Sequence, residues 1–128
     1  MHKTFRSFAV AIGLGFAALA AIAAEMPFDK AGFDGALAQG KPVIVDFSAS
    51  WCPTCKQQKP IVEGLMKDKK LEPVTLFIAD FDKEVALKKQ LGVTMQSTIV
   101  VFKAGKEVGR STGQTQKQAI SDLFDKAL

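Results

Sequence analysis

The chain has 128 residues, of which 48% are apolar and 23% are charged, a balance that allows one packed domain and excludes intrinsic disorder. The formal net charge is +4, but Lys3 and Arg6 supply two of these charges. The other lysines are scattered without interleaved aromatic residues, so a nucleic-acid-binding surface is also excluded.

The N-terminal residues 1–23 have the pattern of a secretory signal peptide. A short basic start precedes an uncharged apolar run over residues 7–24, and Ala21-Ile22-Ala23 offers small residues at the −3 and −1 positions of a cleavage site. We expect cleavage after this tripeptide, which leaves residues 24–128 as a periplasmic domain. An uncleaved membrane anchor is the alternative, because the apolar run is close to the shortest length of a membrane span.

The predicted elements of the domain alternate between helices and strands. A short strand or lead-in at residues 25–28 comes first. Apolar residues at helical spacing then predict a helix over residues 29–39, ended by the glycine that follows. The continuous apolar run at 42–47, interrupted only by Asp46, predicts a central strand that is buried on both faces.

The second half begins with a long helix predicted over residues 52–70. Pro60 lies inside it and should cause a kink, because proline cannot donate a backbone hydrogen bond. Thr115 with Gln118 forms a capping box for a final helix. The other predicted segments are a strand at 73–79, a helix at 83–91 and two hairpin strands at 98–103 and 107–112. This order predicts an α/β domain with a mixed sheet and helices on both faces.

The two cysteines of the chain, Cys52 and Cys55, are the candidate reactive groups. A predicted strand precedes them and Pro53 favours the first turn of a helix, where free backbone N–H groups and the helix dipole stabilise a thiolate. Two cysteines in an exported protein usually form a structural disulfide. A bond across two intervening residues closes so small a loop, however, that it constrains the unfolded chain little. The spacing therefore favours a reversible redox pair.

Several short motifs resemble the thioredoxin family. The first is Val45-Asp46-Phe47-x-Ala49-x-Trp51-Cys52-x-x-Cys55-Lys56, with Pro60 five residues after the second cysteine. Gly92-Val93, the run from Thr98 to Gly105 and Gly113 before the last helix also match. The resemblance covers nearly all of the predicted domain. It implies a thioredoxin-like three-layer α/β fold, with a mixed four- to five-stranded sheet flanked by helices, and the activity of a thiol–disulfide oxidoreductase.

The resemblance also implies roles for single residues. Cys52 corresponds to an exposed nucleophile that forms a mixed disulfide with the substrate, and Cys55 to a deeper thiol that resolves it. Asp46 corresponds to a buried carboxylate that exchanges a proton with Cys55, and burial should raise its pKa. The alternative for Asp46 is a strand-end residue that caps the chain or reaches solvent. The remaining candidates, taken as substrate-binding, are Trp51, Pro53, Thr54, Gln96, Ser97 and Thr98.

Two positions depart from the family pattern. The family usually has a cis-proline immediately before the strand that starts here at Thr98, and this chain has Ser97 instead. A cis bond before a residue other than proline costs about 3–4 kcal/mol, so we expect a trans Gln96–Ser97 bond or a rebuilt loop, with a new hydroxyl near the thiols. The alternative is an unchanged loop. Ile78 stands where the family has a lysine that pairs with the aspartate, so Asp46 should be harder to ionise.

The sequence therefore predicts an exported oxidoreductase that exchanges disulfides with protein substrates and reduces them rather than oxidising them. Compactness, with no inserted helical domain, favours this direction, and a periplasmic reductant needs electrons from a membrane protein. We expect a monomer that has no cofactor, no resident metal and no nucleic-acid partner. Two alternatives stay open: a copper chaperone that uses the thiolate pair, and a redox-inert interaction domain with a permanent disulfide.

Overall fold

The computed structural model describes residues 24–128, together with Gly13 and Gly15. The predicted signal peptide thus lies outside the described residues, apart from those two glycines. Among the helices of the described part, none is both long and apolar enough to cross a membrane. The elements follow in the order β1 (Ala24–Pro27), α1 (Lys30–Ala38), β2 (Val43–Ser48), α2 (Pro53–Leu65), β3 (Thr75–Asp80), α3 (Val85–Leu91), β4 (Thr98–Lys103), β5 (Lys106–Thr112) and α4 (Lys117–Asp125), with a 3₁₀ turn (Lys69–Leu71) between α2 and β3.

The strands form a mixed five-stranded sheet in the order β1-β3-β2-β4-β5. β1 and β2 run parallel to β3, which lies between them, whereas β4 is antiparallel to β2 and β5 is antiparallel to β4. The central strand β2 is buried from Val43 to Phe47, as its continuous apolar run predicted. The mixed sheet confirms the predicted fold class. It also brings the carboxyl ends of three parallel strands together, and the loop after β2 leads from there to the cysteines.

The sheet separates two hydrophobic cores, which gives the domain three layers. One face packs against α2 and α4, and the other packs against α1 and α3. Ile44 of β2 belongs to the first core and Val45 to the second. Because successive side chains of a strand point to opposite faces, Asp46 lies on the same face as Ile44, beneath α2.

Helix α2 is shorter than its predicted span of 52–70, because it ends at Leu65. The chain turns after this residue, and the Asp68 carboxylate accepts a hydrogen bond from the backbone N–H of Lys70 at the start of the 3₁₀ turn. A short acidic side chain that bonds to nearby backbone competes with the continuation of a helix. Pro60 lies inside α2, where the sequence placed it.

The capping box predicted at the start of α4 is wrong. The N-cap of this helix is Gln116, whose side chain makes no capping hydrogen bond. The side-chain oxygen of Gln114 instead accepts hydrogen bonds from the backbone N–H groups of Thr115 and Gln116. The donors of this turn are therefore satisfied by a glutamine before the helix, a pattern that the spacing of Thr115 and Gln118 does not reveal.

Candidate active site

The two cysteines lie where β2 passes into α2. Cys52 is the N-cap of this helix and Pro53 occupies its first turn, so the chain enters the helix in the conformation that a proline favours. The two residues form a disulfide, with their Cα atoms 5.3 Å apart. The backbone N–H of Cys55 donates a hydrogen bond of 3.1 Å to the Cys52 sulfur. A free donor of the helix terminus thus already points at the sulfur that would carry charge after reduction.

The burial of the pair differs from the prediction. Cys52 was expected to be the exposed sulfur, yet its exposed fraction is 1%, against 6% for Cys55. Ala49 belongs to the same buried cluster and Phe81 packs against it. Ser97 lies on the pair as well, within hydrogen-bond distance of both sulfurs. A substrate that reaches Cys52 must therefore displace part of this cover.

Ser97 approaches the disulfide more closely than the sequence could establish. Its Oγ lies 3.1 Å from the Cys52 sulfur and 3.0 Å from the Cys55 sulfur. The Gln96–Ser97 bond is trans, as expected, and the φ angle of Ser97 is +62°. This left-handed conformation is uncommon for a residue other than glycine. The loop is therefore rebuilt around the serine, and the alternative of an unchanged geometry does not apply.

Gln58 is a site residue that the sequence analysis missed. It is buried, and its Nε2 donates hydrogen bonds to the backbone oxygen of Ser97, at 3.3 Å, and to that of Gln114, at 2.8 Å. The amide ties the Ser97 loop to the segment before α4. One signal was available: Gln58 lies three residues after Cys55, so the two side chains share one face of α2.

Asp46 is buried beneath α2, and this burial excludes the alternative of a strand-end residue in solvent. Within the described residues, its Oδ1 has no hydrogen-bond partner. Burial, and then the negative charge of Glu25, raise the pKa of Asp46 to about 7. Its neighbour on β3 is Ile78, so an aliphatic side chain stands where the family has a lysine. These observations agree with the expectation that Asp46 is hard to ionise.

A cleft of about 160 Å³ connects Asp46 to the surface. Asp46 and Cys55 both line it, so the carboxylate and the Cys55 side chain face the same space. Three charged side chains also line the cleft: Glu25, Lys59 and Glu63. Lys59 and Glu63 form an ion pair of 3.8 Å one helical turn apart on α2. The buried carboxylate therefore lies at a cleft that charged side chains line.

The other predicted site residues are more dispersed. Trp51 is 55% exposed, and its Nε1 donates a hydrogen bond of 2.8 Å to Asp82. The Thr98 hydroxyl is used inside the fold, since it donates to the backbone oxygen of Met95 and shares a hydrogen bond with Thr112.

The hydrogen bonds found among residues 24–128 include none from the Thr54 hydroxyl to Cys52. Pro53 is exposed, and Gln96 and Thr54 are half-buried.

The geometry of the site by itself defines a class of protein. A disulfide at the first turn of a helix, beside a mixed sheet and a buried carboxylate, is the site of a thiol–disulfide oxidoreductase. The family model described as Thioredoxin matches residues 25–126. The chain therefore belongs to the thioredoxin family.

Individual relatives support this assignment. The thioredoxin of Chlamydia muridarum is 39% identical over 84 residues, which cover 66% of this chain and 80% of that protein. The thioredoxin of Alicyclobacillus acidocaldarius is 31% identical over 103 residues, which cover 80% of this chain and 97% of that protein. Among solved structures, Trxlp from Edwardsiella tarda matches with a TM-score of 0.77 and 37% identity, over 79% of this chain and 98% of that one. These similarities confirm the resemblance found in the sequence.

Proposed function

We propose that this protein is an exported thiol–disulfide oxidoreductase that reduces disulfides of other proteins. One observation carries the proposal: the Cys52–Cys55 pair lies at the N-terminus of α2, with the Cys55 N–H directed at the Cys52 sulfur. A sulfur in this position is stabilised as a thiolate, which is the form that attacks disulfides. The relatives named thioredoxin support the same chemistry.

The reaction uses the two sulfurs in turn. The Cys52 thiolate attacks one sulfur of the substrate disulfide, forms a mixed disulfide and releases the first substrate thiolate, which takes up a proton. Cys55 then loses its proton to Asp46, attacks the Cys52 sulfur and releases the second substrate thiolate. Two electrons pass from the protein to the substrate, and the protein is left oxidised. Asp46 suits the proton transfer because its pKa of about 7 matches neutral conditions.

Reduction of purified insulin tests this proposal. We expect the wild-type protein, with dithiothreitol as electron source, to accelerate insulin reduction, and Cys52→Ser to lose this activity. Lys56→Ala is a matched control, because Lys56 is an exposed residue in the same turn of α2. Wild-type activity no greater than that of the Cys52→Ser/Cys55→Ser double variant would contradict the proposal.

Trapping identifies the substrates. In Cys55→Ser the resolving thiol is absent, so the mixed disulfide at Cys52 persists. Protein expressed in its native compartment should then carry disulfide-bonded partners that dithiothreitol releases, whereas Cys52→Ser should carry none. Equal partners on both variants would show that the captured proteins do not mark the reaction at Cys52.

Export to the periplasm, a membrane protein as electron donor and a monomeric state belong to the same proposal. They are supported by the signal-peptide pattern and by the compact domain, in which residues 24–128 form one sheet with its flanking helices. N-terminal sequencing of the protein from a periplasmic extract should begin at Ala24. Protein that keeps its first 23 residues and sediments with membranes would favour the anchored alternative.

Copper(I) binding is the second candidate function. It is favoured by two thiols that lie close enough to form a bond and by thiolate being a preferred copper(I) ligand. Within the described residues, no group of three or more histidine, cysteine, aspartate or glutamate residues could hold a metal ion. Reduced protein purified with copper(I) present should retain about one metal ion per chain if this function holds. Metal-free protein from the same preparation rules it out.

A further inference from the structure

We propose that the Ser97 hydroxyl is a catalytic hydrogen-bond donor that serves the two cysteine sulfurs in turn during thiol–disulfide exchange. This inference rests on the proposed function and assigns a role to a residue that stands where the family usually has proline. Proline has no hydroxyl, so the device belongs to this chain rather than to the general family site.

The position of the oxygen carries the argument. Ser97 Oγ lies 3.1 Å from the Cys52 sulfur and 3.0 Å from the Cys55 sulfur, so it is nearly equidistant from the two. A hydroxyl has one proton to donate, and it can therefore serve one sulfur at a time. In the disulfide neither sulfur is charged. After reduction the proton turns to whichever sulfur is a thiolate, since a charged acceptor forms the stronger hydrogen bond.

The backbone holds this hydroxyl in place. The backbone N–H of Ser97 donates a hydrogen bond to the backbone oxygen of Phe47. The backbone oxygen of Ser97 accepts hydrogen bonds from the Gly113 N–H and from Gln58 Nε2. These bonds hold the serine in its left-handed conformation, buried against the sulfurs. The Cα–Cβ bond is thereby fixed, and the hydroxyl proton is the part that responds to charge.

The exchange reaction gives the hydroxyl two tasks. In the reduced protein it donates to the Cys52 thiolate, beside the Cys55 N–H that already points there. When Cys52 joins the substrate, its negative charge leaves with the first substrate sulfur. Cys55 then loses its proton, and the hydroxyl donates to the new thiolate until the Cys52–Cys55 bond forms and the second substrate thiolate leaves. Ser97 gains and loses no bond to sulfur, and no electron passes through it.

A pH titration of the reduced protein tests the first task without a substrate. Thiolate absorbance near 240 nm gives the pH midpoint for ionisation of Cys52. We expect Ser97→Ala to raise this midpoint by about one pH unit, which is the size of effect that one charge-assisted hydrogen bond produces. Ser97→Thr keeps a hydroxyl and should restore most of the difference. Ser111→Ala is the matched control, because it removes another buried hydroxyl that lies on β5.

Equilibration with glutathione tests the same inference through the redox balance. Loss of a donor to the thiolate destabilises the reduced form, so Ser97→Ala should form its disulfide up to about tenfold more readily at neutral pH. Thermal unfolding of the oxidised variants identifies any that fail to fold. In that case Ser97→Gly replaces Ser97→Ala, because glycine adopts the left-handed conformation freely.

The outcomes separate this inference from the proposed function. An unchanged midpoint and unchanged glutathione equilibrium in the folded Ser97 variants would overturn the role of the hydroxyl, even if the wild type reduces insulin. A raised midpoint in Ser97→Ala, with Ser111→Ala equal to the wild type, supports that role even if insulin is not a substrate.

Discussion

Asp46 differs from an ordinary carboxylate because of what surrounds it. Burial, and then the charge of Glu25, raise its pKa from 3.8 to about 7, and Ile78 stands beside it where a cation would have the opposite effect. The group therefore keeps its proton through the mildly acidic range and exchanges it near neutrality. The same property carries a cost in stability, because ionising a buried carboxylate opposes folding.

The stability of the oxidised protein should fall as the pH rises from about 4 to 7. In that range the folded state holds a proton on Asp46 that the unfolded state has released, so stability decreases with pH, by roughly 4 kcal/mol in total. Above pH 7 both states are ionised and the contribution stays constant. Asp46→Asn should remove this decrease, as measured by urea unfolding at pH 4.5 and pH 8. Parallel pH profiles for the variant and the wild type would refute this reading of Asp46.

Glu25 on β1 sets part of the same pKa, although β3 lies between its strand and that of Asp46. Glu25→Gln removes the negative charge that faces Asp46, so the pKa of Asp46 should fall while remaining above its ordinary value. NMR titration of the Asp46 carboxyl carbon in the oxidised protein measures this change. Glu72→Gln, an equivalent substitution of a residue outside the cleft, is the control and should leave the titration where it is. The same midpoint in Glu25→Gln and the wild type would show that Glu25 does not reach Asp46.

Two glycines in helices α1 and α3 allow a direct comparison of how an alanine substitution changes stability. Gly92 ends α3 in a left-handed conformation, with φ of +64°, whereas Gly35 lies inside α1. At both positions an added Cβ would meet no atom of a packed neighbouring element within 4 Å. Gly92→Ala should lose about 1 kcal/mol of unfolding free energy through backbone strain. Gly35→Ala should gain roughly 0.5–1 kcal/mol, because alanine has the higher helix propensity. Urea unfolding of both variants checks the prediction, which fails if the two changes have the same sign.

The elements show which features can be read from a sequence. The central strand and the hairpin were predictable because a continuous apolar run and a glycine-containing turn are local signals. The end of α2 was not, because the hydrogen bond from the Lys70 N–H to the Asp68 carboxylate belongs to a 3₁₀ turn that the apolar spacing does not reveal. Gln58 was missed because its partners, Ser97 and Gln114, lie far along the chain.

The active site shows the same difference between local sequence signals and long-range contacts. The sequence identified Cys52 and Cys55 as the reactive pair and Asp46 as their buried neighbour, because each has a distinct local setting. The burial of Cys52 could not be predicted, since Ser97, 45 residues away, supplies part of its cover. Local pattern therefore predicted which residues react, whereas tertiary contacts decide how accessible they are.

On the scale of the whole molecule, two cores share one sheet and should unfold together. Leu123 of α4 belongs to the core on one face, and Leu87 of α3 belongs to the core on the other. Leu123→Ala and Leu87→Ala should each cost about 2–5 kcal/mol, because each leaves a cavity in a packed core. Trp51 fluorescence and far-UV circular dichroism should report one coincident transition for both variants. Transitions that separate between the two probes would contradict a single cooperative unfolding step.

The edge position of β1 links the motion of a strand to the chemistry of the cysteines. In the described sheet this four-residue strand is bonded to β3 alone, and it carries Glu25 at the cleft. Short edge strands open at a lower free energy than the strands beside them. We expect each opening to withdraw Glu25 and admit water to Asp46, so that the carboxylate ionises more readily while the strand is detached. We expect a fusion partner joined directly before β1 to alter how often this happens, and a C-terminal tag to disturb Asp46 less.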